Sequence, residues 1–464
     1  MNYIYNKFKV ISLYALLVSS FSIHYCQNNN FHLTEFSYSE YKWTGVAVSH
    51  EGRVFVNFPR WSAVPFSVCE LVDSQLITYP DAEWNTWTGS APPENHFVCV
   101  QSVYIDDENY LWILDPASLS GSVVEGGAKL LKIDLETNSI IKIIYFNNSI
   151  TSGESYLNDV RVDTEKDFAY ITDSGVGAII VVDLVNGTSR KLLDCHNSTK
   201  AEFTTLEING HVINFEIHSD GLALNNEKDY LYYKALTGNS LYRIETETLR
   251  DTSLTNTEVE NAVEFVLETL PCDAIEFHPN GNLFFTAIEE NAIYYLTPAL
   301  EFEIAISDEL LKWPDSFSIT SDGEIYVTTS RIYFPPGPHG LFRITDSSTD
   351  VGQLKNSFPD EYCLSQNYPN PFNPITKIKY QIPEQNFVSI KTYDILGNEV
   401  ATLVNEVRTA GEYEVEFNIS NIPGRIPAKG GYASGVYFYQ LKAVNTSTGL
   451  GHVFVQTKKM NLLK

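Results

Sequence analysis

The stretch Leu157–Asp173, LNDVRVDTEKDFAYITD, decides the fold. Val160-Arg161-Val162 alternates apolar and polar side chains, Thr164-Glu165-Lys166-Asp167 is polar, and Ala169-Tyr170-Ile171-Thr172 returns to strand-forming residues. Alternation bounded by turn residues predicts a half-buried antiparallel hairpin. In that hairpin Asn158-Asp159 at the start of one strand lie beside Asp173 at the end of the other, so three polar groups meet at one rim.

The hairpin recurs. Val46-Ala47-Val48 turns through His50-Glu51-Gly52 into Val54-Phe55-Val56, and Val103-Tyr104-Ile105 turns through Asp106 to Asn109 into Leu111-Trp112-Ile113. Leu222-Ala223-Leu224 leads to Leu231-Tyr232-Tyr233, Ile275-Glu276-Phe277 to Leu283-Phe284-Phe285, and Phe317-Ser318-Ile319 to Ile325-Tyr326-Val327. These six first strands begin 42 to 62 residues apart, the length of one four-stranded propeller blade with its loops. The expectation is an all-β chain with a six-bladed β-propeller over residues 31–345. A β-sandwich supplies no reason for six hairpins in phase.

Alignment of the copies exposes a second pattern. Two residues before each first strand stand Thr44, Gln101, Asn158, Asp220, Asp273 and Asp315, all polar although the following strands are apolar. If the first strand of each blade is innermost, these residues ring the mouth of the central channel. The ends of the second strands would add Asn57, Asp115, Asp173 and the pair Ser330-Arg331. Asp159 stands apart, because its equivalents are Gly45, Ser102, Gly221, Ala274 and Ser316. Such a ring, with Phe66, Trp112, Tyr170 and Tyr233 as aromatic neighbours, would suit a cation, either an ammonium or a metal.

The 464 residues carry 58 acidic and 31 basic side chains, a net charge of −27, which argues against nucleic acid or an anionic membrane surface as partner. An apolar run from Val10 to Phe21 behind Lys7 and Lys9 predicts a signal peptide over residues 1–26 and no membrane span in the mature chain. The five further cysteines show no metal-binding spacing. Neither GxSxG, HExxH nor a phosphate-cradling glycine loop is present.

After a linker at residues 346–363, LSQNYPNPFNPITKIKYQIP, VSIKTYDILGNEVATLV, AGEYEVEF and ASGVYFYQL read as short strands between Pro, Gly and Asn turns. That predicts a small immunoglobulin-like sandwich over residues 364–464.

Two resemblances attach to these motifs. LITYPDAEWNTW, VQSVYIDDENYLWILD, SYLNDVRVDTEKDFAYITDSGVGAIIVVDL and LKWPDSFSITSDGEIYVTTSRI resemble the yellow and major royal jelly protein family. The resemblance implies a secreted six-bladed propeller that binds a small ligand, an amine or an aromatic compound, in its channel near Asp315 and Ser330. NYPNPFNP and DILGNEV resemble the sorting domain of bacterial type IX secretion cargo, which implies the type IX outer-membrane machinery as partner and a destination outside the cell or on its surface. The gluconolactonase and regucalcin family is the rival six-bladed resemblance. It would make Asn158 and Asp220 metal ligands, for Ca²⁺, of a lactone hydrolase, although its glutamate is replaced near Trp43-Thr44. A surface protein that only contacts other macromolecules is the third reading.

Overall fold

The computed structural model describes residues 30–346, except 120 and 152, and residues 362–463, except 368, 422–433 and 445–452. The expected signal peptide, most of the linker and the stretch Gly424–Tyr432 lie outside the described residues. The described chain falls into two compact units.

The first unit is six four-stranded antiparallel sheets. Each of the six hairpins supplies the first two strands of one sheet, and the innermost strands are Val46–Val48, Ser102–Ile105, Leu157–Asp163, Ser219–Leu224, Cys272–Phe277 and Pro314–Ile319. Each packs against its two neighbours, and the first meets the last, which closes a six-bladed propeller. Five blades take all four strands in order. The sixth takes its outermost strand, Phe31–Ser39, from the front of the chain, paired antiparallel with its third strand, His339–Asp346. Closure by the two ends of the unit removes the free edge that an open ring would expose.

Between blades the core is apolar. Trp112, Leu130, Val160, Ile171 and Ile180 pack blade 2 on blade 3, and Tyr170, Ile179, Leu222, Leu231 and Tyr233 pack blade 3 on blade 4. These are the alternate residues of each strand, the side that a blade turns to its neighbour. Deleting one, as in Ile171→Ala, would cost about 2–5 kcal/mol.

The second unit is a sandwich of a three-stranded sheet (Cys363–Leu364, Ile375–Ile382, Gly411–Asn418) and a four-stranded sheet (Glu399–Arg408, Asn386–Tyr393, Gly435–Val444, Val453–Leu462). Its motifs have structural tasks. Asn367 N–H donates to the Tyr439 hydroxyl at 2.7 Å, and that hydroxyl donates to Ser365 O at 2.7 Å, which ties NYPNPFNP to the opposite sheet. In DILGNEV, Asp394 Oδ1 accepts from Leu396 and Asn398 N–H at 2.9 Å each, so its side chain fixes the turn.

Candidate ligand site at the channel mouth

In blades 3 to 6 the innermost strand opens with a β-bulge. Asn158-Asp159 face Thr172 alone, Asp220-Gly221 face Lys234, Asp273-Ala274 face Thr286, and Asp315-Ser316 face Thr328. A bulge adds a residue to one strand and re-aims the side chains around it. The extra N–H groups find hydroxyl oxygens: Asp159 N–H donates to Thr172 Oγ1 at 3.1 Å, Ala274 N–H to Thr286 Oγ1 at 2.9 Å and Ser316 N–H to Thr328 Oγ1 at 3.2 Å. The hydroxyls in turn stitch blade to blade, Thr172 Oγ1 donating to Asp220 O at 2.7 Å and Thr328 Oγ1 to Thr44 O. The bulge was not legible in the sequence. Its available signal is a polar residue before each first strand, set opposite a threonine in three of the four blades and Lys234 in the other.

A directed chain of hydrogen bonds crosses the mouth. Trp61 Nε1 donates to the Tyr156 hydroxyl (2.7 Å), Tyr156 to Gln101 Oε1 (2.8 Å), Gln101 Nε2 to Asn158 Oδ1 (3.1 Å) and Asn158 Nδ2 to Asp220 Oδ2 (2.7 Å). The Trp61 end sets its direction, since an indole only donates and leaves the Tyr156 hydroxyl to donate onward to Gln101. Asn158 therefore turns its N–H, not its oxygen, toward Asp220, and its oxygen is taken by Gln101. That donor set does not fit Ca²⁺, which requires several convergent oxygens. Among the described residues no group of three or more His, Cys, Asp and Glu side chains is placed to hold a metal ion.

Four carboxylates share the mouth, one from each bulged blade. Asp159, Asp220 and Asp315 are buried, and Asp273 is half-buried with its Oδ2 held by Trp313 Nε1 at 2.6 Å. Burial pushes the Asp220 and Asp273 carboxyls well above the usual range, and the negative charges of Asp159 and Asp315 push them further. Burial carries Asp315 up to about 7, with the adjacent Ser330 hydroxyl, Ser316 and Lys42 opposing and Asp159 adding to the rise. Asp159 is raised by burial too, against the pull of Arg161 and Ser102. Like charges in a desolvated site cannot all ionise without a counter-charge. The Lys42 ammonium, lowered by burial and held up by Asp315, lies 5.6 Å from the Trp61 ring at this mouth.

The remaining expected residues divide. Thr44 is in the ring but fully buried, its hydroxyl donating to Gln101 O (3.2 Å) and accepting from Asn57 (2.9 Å), so it supports the site without facing a ligand. Ser330 lies beside Asp315, whereas Arg331 turns away to donate to Pro335 O at 2.9 Å. Asn57, Asp115 and Asp173 are fully buried staples, not mouth residues. Asp115, for example, accepts from Val98 N–H (2.7 Å), Cys99 N–H (2.9 Å) and the buried Lys129 ammonium (3.1 Å). The four expected aromatic neighbours are elsewhere as well. Trp112, Tyr170 and Tyr233 face blade–blade packing, and Phe66 meets Tyr41 and Phe58 edge to face, with centroids at 5.3 and 4.6 Å. Strand alternation turns Trp112, Tyr170 and Tyr233 away from the axis, and Phe66 lies in the loop before the third strand of blade 1. Trp313, Tyr156 and Trp61, all from loops, take the aromatic places.

Below the ring the channel is filled. Arg161 from blade 3 sits 5.3 Å from the Tyr104 ring of blade 2 and pairs its Nε with Glu276 of blade 5 at 2.8 Å. Blades 2 and 5 stand opposite in a ring of six, so Arg161 spans the axis. Its own-blade neighbour Asp159 is 3.9 Å away. The small equivalents Ala47, Ala223 and Ser318 leave the space that this side chain occupies.

The fold and this mouth define a class: a six-bladed propeller with an acidic, aromatic-capped channel, attached to a sorting sandwich. A family model described as Major royal jelly protein matches residues 98–333, and the chain belongs to that family. A second model, Secretion system C-terminal sorting domain, matches residues 366–449, and this domain directs the chain through the type IX system to the cell surface or the extracellular space. Among the described residues no helix is long and apolar enough to cross a membrane. Major royal jelly protein 1 of Apis mellifera is 24% identical over 261 residues, covering 52% of this chain and 59% of that protein. Major royal jelly protein 3 of the same species is 23% identical over 378 residues, 78% of this chain and 63% of that protein. The chain thus spans about 60% of the length of these relatives. Among solved structures, a virginiamycin B lyase from Staphylococcus aureus superposes with a TM-score of 0.42 at 14% identity, covering 68% of this chain and 99% of that one. A gluconolactonase from Xanthomonas campestris gives 0.44 at 10%, covering 68% and 89%.

Proposed function

We propose that the exported propeller binds a small organic cation, an amine with an aromatic or apolar body, at the channel mouth. The observation that carries this reading is the group of four carboxylates from four consecutive blades, whose own charges repel. A bound ammonium would neutralise them where water cannot, and the exposed Trp61 offers aromatic surface beside it, while the buried Trp313 holds Asp273 in place. Lys42 is the resident cation such a ligand would meet.

Thermal-shift and calorimetric titration with serotonin and tyramine, against neutral analogues lacking the amine, tests the reading. The amines should stabilise the protein, their neutral analogues should not, and Asp315→Asn or Asp315→Ala should weaken binding at least tenfold. No response to any amine would count decisively against it. A propeller serving only as a contact surface for macromolecules would give that silence.

A further inference from the structure

The opposite end of the channel holds a separate cavity of about 670 Å³. It lies at the hairpin turns, and Arg161, Tyr104 and Glu276 separate it from the carboxylate mouth. Every blade gives it an apolar wall residue: Val46, Ile105, Val162, Leu224, Phe277 and Phe317. Polar side chains such as Ser49, Asn225, Ser318 and Thr320 make up the larger share of the remaining lining, and the volume admits a small organic ligand with both an apolar and a polar part.

Its charge is one-sided. Asp106, Asp107, Glu276, Asp322 and Glu324 line it, with Lys228 the sole lysine or arginine there. Some of these acids are already paired: Asp107 with Lys228, Glu324 with Arg343 at 3.4 Å, and Asp106 with Trp112 Nε1 at 2.7 Å and Lys132 at 3.9 Å. Asp322 stands exposed on its turn, bonded to Thr320. At the floor, Glu276 keeps 15% of its side chain accessible and shares Arg161 with Asp159. Negative walls of low dielectric repel anions and concentrate cations, while the apolar ring offers nothing to a bare metal ion.

We infer that this cavity is a second binding site, for an organic cation with an apolar body, distinct from the mouth at the other face. The apolar ring takes the body, the ammonium lies toward Glu276 at the floor, and the acids of the rim add to the field that draws it in. A cation here repels Arg161 toward Asp159, and a cation at the mouth repels it toward Glu276. Each ligand therefore weakens the other.

Calorimetric titration of the full chain with tryptamine reads this directly, with its neutral alcohol analogue as control. Two equivalents should bind, the second at least threefold more weakly than the first. Asp315→Asn should leave one equivalent. Adding Asp322→Lys, an exposed substitution that keeps the fold, should weaken that remaining equivalent three- to tenfold, and Glu276→Gln should weaken it at least tenfold. The inference is overturned if Asp315→Asn abolishes all binding, or if the remaining equivalent is indifferent to both Asp322→Lys and Glu276→Gln. The mouth reading fails separately: a single equivalent that Asp315→Asn spares and Asp322→Lys weakens would locate the ligand here alone.

Discussion

Two sets of polar residues stand at the same end of the hairpins, one in blades 1 to 3 and the other in blades 4 to 6, and they have opposite fates. Asn57, Asp115 and Asp173, at the ends of second strands, spend their side chains on backbone N–H groups of the neighbouring loops, as Asp173 Oδ1 does with Tyr156, Gly175 and Val176 at 2.9 to 3.3 Å. Asp220, Asp273 and Asp315, at the starts of first strands, receive one side-chain donor each or little more, and burial together with neighbouring carboxylates, Asp159 among them, pushes their pKa up. The same residue types at the same end of different hairpins are structural where the backbone supplies donors and strained where it does not. What separates them is the supply of N–H groups, set by loop conformation.

Breaking the stapled set should have the largest effect. Asp115→Ala leaves Lys129 buried without its partner carboxylate and three loop N–H groups, of Val98, Cys99 and Ala117, without their side-chain acceptor. Loss of one member of a buried pair costs about 3–5 kcal/mol, so chemical denaturation should show that much destabilisation of the propeller. A loss below about 1 kcal/mol would mean that the two sets are not physically different.

The propeller itself was legible, because six hairpins in phase, with apolar alternation fixing which face of each strand is buried, leave few architectures open. The sandwich was legible from its turn residues. The position of the carboxylate ring followed from alignment of the repeats, and Asn158, Asp220, Asp273 and Asp315 do come together. The aromatic partners did not follow, because Trp61, Tyr156 and Trp313 lie in loops without periodicity. Arg161 is only the polar position of an alternating strand in the sequence, yet it is the channel plug. Nothing in a strand's own alternation tells an outer solvent face from the inner face of a closed ring.

The strained set predicts a pH dependence of the opposite sign to the usual one for carboxylates. Asp315 has an ordinary unfolded pKa near 3.8 and is raised to about 7 in the fold. Between these values the folded protein holds more protons than the unfolded chain, so this group's stabilisation is fully present below about pH 4 and is lost as pH rises through 7. The slope approaches about 1.4 kcal/mol per pH unit in mid-window. Urea midpoints from pH 4.5 to 7.5 should show wild type losing stability relative to Asp315→Asn as pH rises. A difference independent of pH would mean that Asp315 is ionised throughout.

Removing charge from the strained set should cost little. Asp220→Asn keeps an oxygen for Asn158 Nδ2 while deleting one of the mutually repelling charges. At pH 7 the variant should match wild type or exceed it by up to about 1 kcal/mol in denaturation, the reverse of Asp115→Ala. It should also weaken amine binding at least tenfold. Function and stability would then part at this ring, as they do not at the stapled one.

The smallest effect tests how the strained set is oriented without backbone donors. Tyr156 is the link between exposed Trp61 and Gln101, and burial pushes its phenol well above the usual range, so the hydroxyl remains a donor at any ordinary pH. Tyr156→Phe keeps the ring and deletes that donor. Water can serve Trp61, which is 45% exposed, but Gln101 is only 6% exposed. Its Oε1 then loses its partner, at a cost of about 1 kcal/mol. The amide of Gln101 is free to reverse, and Asn158 with it, so the direction of the whole chain toward Asp220 is no longer imposed. Amine affinity should fall two- to fivefold while the melting temperature moves by only a few degrees. If affinity is unchanged, the orientation of Asn158 is set by Ser174, which accepts from the same Nδ2 at 3.0 Å, and the chain from Trp61 is packing alone.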